Sequence, residues 1–381
     1  MIHTHNLLQW KFMLIPSYVV VKFCKHTIIG GDSVVRPWRS LVFLTSLLVV
    51  STCIVYATEP LSFYIQEYYK AQGKFPKPPS WVGVGTIFVY GFQVGVGTRG
   101  VEGFTSQGYK IQIVVGIDTQ SNYVAGLELT ILSDIRGNVD FSTKLSQIQF
   151  VELRSLEVFL SQLARTVPAG VQIQGGYLAG GEFYFAYSSE DYQGVTRYDY
   201  TFSKEGALVS SGFLERSGTS SSVGKMELLT VKSVELGSGR LSEEILRVNP
   251  SYQVVQVEQM TGMVMAQFQI DVTFNRRLSE GFYGFLLTSS SGYSTSQAQL
   301  LGTELIGPAY INPSLLKGEI LSIPEIGLRW IVEGQGQMGG VQTAFYVQGV
   351  RVAVYEYDRN GVLLQYARKT HQGYEQARRV R

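Results

Sequence analysis

QGVTRYDYTFSKEGALV (193–209) and QGVRVAVYEYDRNGVLL (348–364) are the stretches that decide how this chain folds. Laid over one another without a gap, at an offset of 155, they agree at six of 17 positions: Gln193/Gln348, Gly194/Gly349, Val195/Val350, Tyr200/Tyr355, Gly206/Gly361 and Leu208/Leu363. Phe202/Tyr357, Lys204/Arg359 and Val209/Leu364 are conservative pairs. Each stretch reads strand, turn, strand. Alternation of aromatic and polar residues is the period of a strand with one buried face. Lys-Glu-Gly or Arg-Asn-Gly then reverses the chain, and Asn360-Gly361 is a strong hairpin signal because both residues accept positive φ. The identities extend beyond the turn, so the expectation is an internal duplication, with Tyr200 equivalent to Tyr355 and Gly206 to Gly361. The alternation predicts that Tyr200, Phe202, Tyr355 and Tyr357 face the core together with Leu208 and Leu363.

Outward from these hairpins the pattern stays β. Segments 81–97, 109–117, 122–132, 171–187, 195–203, 207–214 and 225–236 are rich in Val, Ile, Tyr, Phe and Thr, with Gly, Ser, Asn and Asp between them. After residue 245 the segments 251–258, 262–274, 282–288, 327–334, 341–347, 350–357 and 362–368 read the same way. Residues 151–165 differ, because Leu153, Leu156, Leu160 and Leu163 recur at helical spacing. A second short helix follows Glu59-Pro60, since proline suits a first helical position; Gly73 and KFPKPPS (74–80) end it. The fold class expected is mainly β, with α+β as the alternative. It comprises two related antiparallel units, an amphipathic helix in the first, and an apolar signal or anchor helix at the amino terminus. The expected organisation is a leader at 1–57, a helix and Pro-rich spacer at 58–80, a first β unit at 81–245 and a second at 246–381.

The 381 residues carry 32 basic and 30 acidic side chains, and hydrophobic residues make up 45%. That is apolar enough to bury a core and too lightly charged for disorder. Five of the basic residues (Lys11, Lys22, Lys25, Arg36, Arg39) and one acid (Asp32) precede residue 58, which leaves the body slightly acidic. Both cysteines, Cys24 and Cys53, lie there too, as do three of the four histidines. The body therefore has no disulfide, no Cys nucleophile and no Cys/His zinc site. Residues 40–58 carry no charge, follow Arg36 and Arg39, and end in Val55-Tyr56-Ala57. That layout is a secretory signal cleaved near Thr58, or an uncleaved anchor that puts the body outside the cytoplasm.

The hairpin Tyr-x-Tyr-Asp-x-x-Gly-x-Leu-Leu (355–364) resembles one found in uncharacterised exported proteins of prokaryotes. The resemblance covers about a tenth of the chain and implies export and a β fold only.

Motifs that would carry chemistry are thin. Gly95-x-Gly97-x-x-Gly100 and Gly334-x-Gly336-x-x-Gly339 match the dinucleotide fingerprint, but neither is followed by a helix whose amino terminus could meet a pyrophosphate; both read as hairpin loops. Ser222/Lys225 and Ser314/Lys317 have Ser-x-x-Lys spacing. The first enters a strand, and the second reads as a single helical turn without companion motifs. Asp118 to Asn122 lacks the central Gly and closing Glu of a calcium loop and reads as a turn. Asp134, Asp140, Glu182, Glu190 and Asp191 are the carboxylates from which a glycosidase pair would be drawn. Arg378, Arg379 and Arg381 read as a solvated basic tail, too small for a nucleic-acid partner.

No catalytic, metal or cofactor residue is assigned. The function expected is a non-enzymatic binding or scaffold protein, exported or membrane-anchored, with no cofactor and its partners open. The alternatives are a hydrolase of an extracellular polymer acting through paired carboxylates, and a carrier of an apolar or lipid ligand.

Overall fold

The computed structural model describes residues 59–98, 104–167, 169–191, 194–235, 250–279, 282–289, 310–311 and 313–380. They fall within one compact unit. The leader, with its signal or anchor, and the unit boundary expected at 245/246 lie outside the described residues.

The protein is mainly β. The helix Glu59–Gln72 (α1) precedes the strands Thr86–Thr98 (β1), Phe104–Asp118 (β2), Tyr123–Asp134 (β3) and Val139–Gln147 (β4). The helix Leu153–Leu163 (α2) follows, then Val171–Tyr177 (β5), Phe183–Asp191 (β6), Gly194–Phe202 (β7), Leu208–Ser217 (β8) and Ser220–Ser233 (β9). The remaining strands are Ser251–Glu258 (β10), Val264–Ser279 (β11), Phe282–Ser289 (β12), Glu319–Ile323 (β13), Leu328–Gln335 (β14), Val341–Val347 (β15), Val350–Tyr357 (β16), Leu363–Thr370 (β17) and Gly373–Arg379 (β18). Among the described residues no helix is long and apolar enough to cross a membrane, which says nothing of strands.

Two antiparallel nine-stranded sheets result, in the orders β4-β3-β2-β1-β9-β8-β7-β6-β5 and β12-β11-β10-β18-β17-β16-β15-β14-β13. Each is a meander whose first and last strands pair. In the first sheet this leaves β4 and β5 as edges, and the chain crosses between them through α2. That helix starts where Glu152 turns its carboxylate onto the amides of Arg154, at 3.3 Å, and Ser155, at 2.6 Å, a cap that satisfies two of the free amides of a first turn.

The two hairpins read from sequence are built alike. Gly206 donates to the Ser203 carbonyl and Gly361 to the Asp358 carbonyl, at 2.8 and 2.9 Å. Each glycine carbonyl accepts from a distant amide, Val151 or Ile311, both at 2.9 Å. Gly206 has φ +85° and Gly361 +81°, and in each a β-carbon would come within 1.9 Å of the carbonyl oxygen of Val151 or Ile311. Only glycine fits, for both the close approach and the backbone conformation. The Asn360-Gly361 pair works differently from expectation. Asn360 is not among the residues with positive φ; instead the Asp358 carboxylate closes a longer turn by accepting from the amides of Asn360 and Val362. Ser203 does the same for Glu205 and Ala207.

Tyr200, Phe202, Tyr355, Tyr357 and Leu363 are fully buried, whereas Leu208 is half-buried. The cores they enter differ. Tyr200 and Phe202 meet α1 and α2 through Leu61, Tyr64, Leu156 and Leu160. Tyr355 and Tyr357 share a core with Ile87, Ile111, Leu129, Ile131 and Phe141 of the first sheet. The second sheet thus packs against one face of β1–β4. Phe141 lies 4.9 Å from Phe345, and the hydroxyls of Thr143 and Tyr355 are 3.1 Å apart.

Several elements depart from the sequence reading. Segment 171–187 is two strands divided by a turn at 178–182. β4 and β13 had no clear signal. The basic tail is not a free end as far as Arg379, because β18 lies inside the second sheet between β10 and β17, although Arg378 is exposed. Its alternating Glu375 and Ala377 face inward, and Arg379 reaches Asp358 at 3.1 Å.

Candidate functional site

β1–β4 bury two faces of different chemistry. Ile87, Val89, Ile111, Ile113, Leu127 and Leu129 face the second sheet. On the other, inner face the ladder aligns Phe88 with Gln112, Gln112 with Glu128, and Glu128 with Lys144. Tyr90, Lys110 and Thr130 form the adjoining row. Cross-strand neighbours sit about 5 Å apart at Cβ, so the register alone gathers these polar groups.

The gathering centres on Glu128, only 3% exposed. Its Oε2 accepts from Gln112 Nε2 at 3.1 Å and from Ser146 Oγ at 3.2 Å. Lys110 Nζ stands 3.2 Å from that oxygen and Lys144 Nζ 3.3 Å from Oε1. Burial works against the charged carboxylate. The two ammonium groups, with the hydrogen bonds from Gln112 and Lys110, overcome it and bring its pKa down to about 2. Burial, then the Glu128 charge, pushes the Tyr90 hydroxyl pKa upward. Lys110 and Lys144 remain 15% and 23% exposed, so the cluster reaches solvent.

Farther along the same sheet an aromatic cluster packs under the two helices. Phe185 stacks on Tyr200 with ring centres 5.5 Å apart, and Tyr200 on Phe202 at 6.2 Å. Tyr198, paired with Phe213, donates to Glu215 at 2.7 Å. The inner face thus combines apolar ring surface with fixed charges of both signs.

The sequence-derived candidates are scattered. Gly95 and Gly97 lie within β1, not in a loop, because the strand runs on to Thr98 opposite Ser220; Gly100 lies outside the described residues. Gly334 is the penultimate residue of β14, while Gly336 and Gly339 form the turn to β15. That turn is held by Glu356, which accepts from the amides of Met338 and Gly340, both at 2.8 Å. Ser222 and Lys225 are on β9, and Ser314 is in a single 3₁₀ turn, Pro313–Leu315, before Lys317. Asp118 closes the β2–β3 turn, accepting from Gln120 and Ser121. Asp134 and Asp140 flank the β3–β4 turn, Glu182 sits in the β5–β6 turn, and Glu190 and Asp191 end β6. Among the described residues no group of three His, Cys, Asp or Glu could hold a metal ion.

Glu128, Lys110 and Lys144 escaped the sequence reading. The available signal was the polar alternation in KIQIV, LELTI and STKLS. Polar alternation ordinarily marks the solvent face, whereas here the face is buried.

No family model matches the chain, and no curated protein does. Among solved structures it is similar to the crystal structure of a protein of unknown function from the DUF3598 family of Nostoc punctiforme. Identity is 11%, the match covers 77% of this chain and 95% of that one, and the TM-score is 0.17. At those values neither fold nor function is carried over.

Proposed function

We propose that this is a non-enzymatic binding protein of the extracytoplasmic space, placed there by residues 40–58, and that the inner face of its first sheet holds a small amphipathic ligand. The observation that carries this reading is Glu128, an ionised and buried carboxylate bracketed by two lysines on the sheet that also carries the aromatic cluster. A buried ion pair gives no more stability than well-packed apolar residues of the same volume, so such a cluster speaks for a role beyond holding the sheet. The apolar-carrier reading joins this one. The hydrolase reading gains no support from carboxylates spread over three separate turns. The two hairpins, built on matching glycines, support a reading of the sheets as duplicates, of which the first holds the ligand.

Binding is tested on the full chain with an environment-sensitive naphthalene sulfonate dye. Dye emission should rise on addition of protein and be lost in Lys110→Met/Lys144→Met with unchanged circular dichroism. A native protein that leaves the dye in its aqueous state overturns the reading. Export is tested by sequencing the amino terminus of protein purified from its own cell. It should begin near Thr58 or fractionate with membranes; full-length protein soluble in the cytoplasm overturns it.

A further inference from the structure

The two edge strands of the first sheet end differently. On β4 the outer edge meets the second sheet, where the Phe141 carbonyl accepts from Arg368 at 3.2 Å. On β5 the register with β6 runs without a shift from Val171 opposite Ser189 to Tyr177 opposite Phe183. Just outside it, Leu178 donates to the Glu182 carbonyl at 2.7 Å and Glu190 to the Gly170 carbonyl at 2.9 Å. Residues of an antiparallel pair alternate between bonded and non-bonded positions, so the even-numbered residues of β5 bond to β6. The amides and carbonyls of Val171, Ile173, Gly175 and Tyr177 therefore point away from the sheet, and they meet no backbone partner among the described residues.

Native edge strands are ordinarily blunted by a charge, a proline or a bulge. The strand VQIQGGY has none of the three. Its two rows of side chains differ in chemistry. Ile173 packs against the helix-covered core, Tyr177 meets Phe183 edge-on at 5.1 Å, and a β-carbon on Gly175 would come within 3.0 Å of Leu160. Gln172 and Gln174 stand exposed on the opposite row. Despite its contact with Phe183, Tyr177 remains 52% exposed, and Leu178 beside it 44%.

We propose that β5 pairs antiparallel with β5 of a second copy of this chain, about a two-fold axis at Gln174. That register sets Val171 opposite Tyr177 of the second copy and Ile173 opposite its Gly175, so every outward amide and carbonyl gains a partner. An aromatic residue against a β-branched one is a favourable cross-strand pair, and it covers the exposed side of Tyr177. On the other row Gln174 meets Gln174, and a primary amide both donates and accepts. A two-fold contact must be its own complement, and like charges directly opposite one another weaken a pair. β5 carries no charge, so it satisfies that condition, whereas a charged peptide would find nothing in it to pair with. Both sheets are antiparallel throughout, and the pairing continues that order across the axis. It leaves the Glu128 cluster on β2–β4 untouched and does not depend on the ligand reading.

The test uses the full chain in a mild detergent. Sedimentation velocity should give a dimer for the parent. Gln174→Lys, which sets two like charges opposite one another on the axis, should give a monomer with unchanged circular dichroism. A cross-link then reads the register, in a background of Cys24→Ser and Cys53→Ser. The two copies of residue 174 form a non-bonded pair with Cα atoms about 4.5 Å apart, within reach of a disulfide, so Gln174→Cys should oxidise to a covalent dimer. Gln172→Cys should not, because its two copies lie four residue steps, about 13 Å, apart. A monomeric parent overturns the proposal and leaves the edge to a different partner. A Gln174→Lys variant as dimeric as the parent overturns it too, since the copies would then meet elsewhere. Equal cross-linking at 172 and 174 overturns the two-fold register and with it the proposal.

Discussion

The hairpins at 193–209 and 348–364 share their turn geometry and the burial of their aromatic faces, yet different partners cover those faces. In the first sheet Tyr200 and Phe202 lie under two helices, and the same inner face carries Glu128 between two lysines. In the second, the segment matching α2 is the short turn Pro313–Leu315, and Tyr355 and Tyr357 lie against β1–β4 of the first sheet. The buried carboxylate there, Glu375, accepts from Arg368 at 2.9 Å, from Tyr366 at 2.6 Å and from Gln256 at 2.9 Å. Arg368 also donates to the Phe141 carbonyl at 3.2 Å, on edge strand β4. Glu128 sits in a cluster that reaches water; Glu375 and Arg368 clamp one sheet to the other. The alternation in each hairpin specifies which face is apolar, and the covering partner decides whether that face packs under helices or against a sheet.

The sharpest break of this comparison is Arg368→Ala. It leaves Glu375 charged and buried and the Phe141 carbonyl without its donor. Removing one member of a buried pair costs about 3–5 kcal/mol, so the urea midpoint should fall steeply; a midpoint within error of the parent would make the clamp dispensable. Next come Gly206→Ala and Gly361→Ala. Each forces a β-carbon onto a carbonyl at positive φ, and backbone strain of that kind costs about 1–3 kcal/mol. The two losses should be similar. One tolerated variant would show that the turns are alike in shape only.

Acid separates the carboxylates further. Glu128 falls from its ordinary 4.5 to about 2 in the folded protein. Its folded pKa is depressed, so its contribution is complete above about 4.5 and is lost as the pH drops toward 2. Unfolding free energy should therefore decline across that window. Glu128→Gln should be weaker at neutral pH and flatter below it, and a parallel decline in both proteins would discount the cluster. The smallest effect is Tyr355→Phe, which removes the hydroxyl meeting Thr143. A net hydrogen bond contributes about 1 kcal/mol, and a thermal melt should register it without loss of the second sheet's spectrum.

Legibility followed the range of the interactions. α2 was readable because four leucines at helical spacing carry their own periodicity, and most strands because β-branched and aromatic residues cluster between turn formers. β18 was not, since GYEQARR is polar and becomes a central strand only when β10 and β17 pair with both its edges. Turn 178–182 was hidden inside an apolar run. Nothing in the sequence of Lys110, Glu128 and Lys144 distinguished an enclosed polar face from a wet one.

The sequence by itself determined a mainly β chain, the places of its helices, the two glycine turns and the aromatic faces that must be buried. Those are local matters, set by side-chain period and by the backbone freedom of single residues. The tertiary structure decided that one aromatic face meets helices and the other a sheet. It also decided that the polar face of β2–β4 turns inward, because burial depends on what the rest of the chain brings against a surface, and alternation only states that two faces differ.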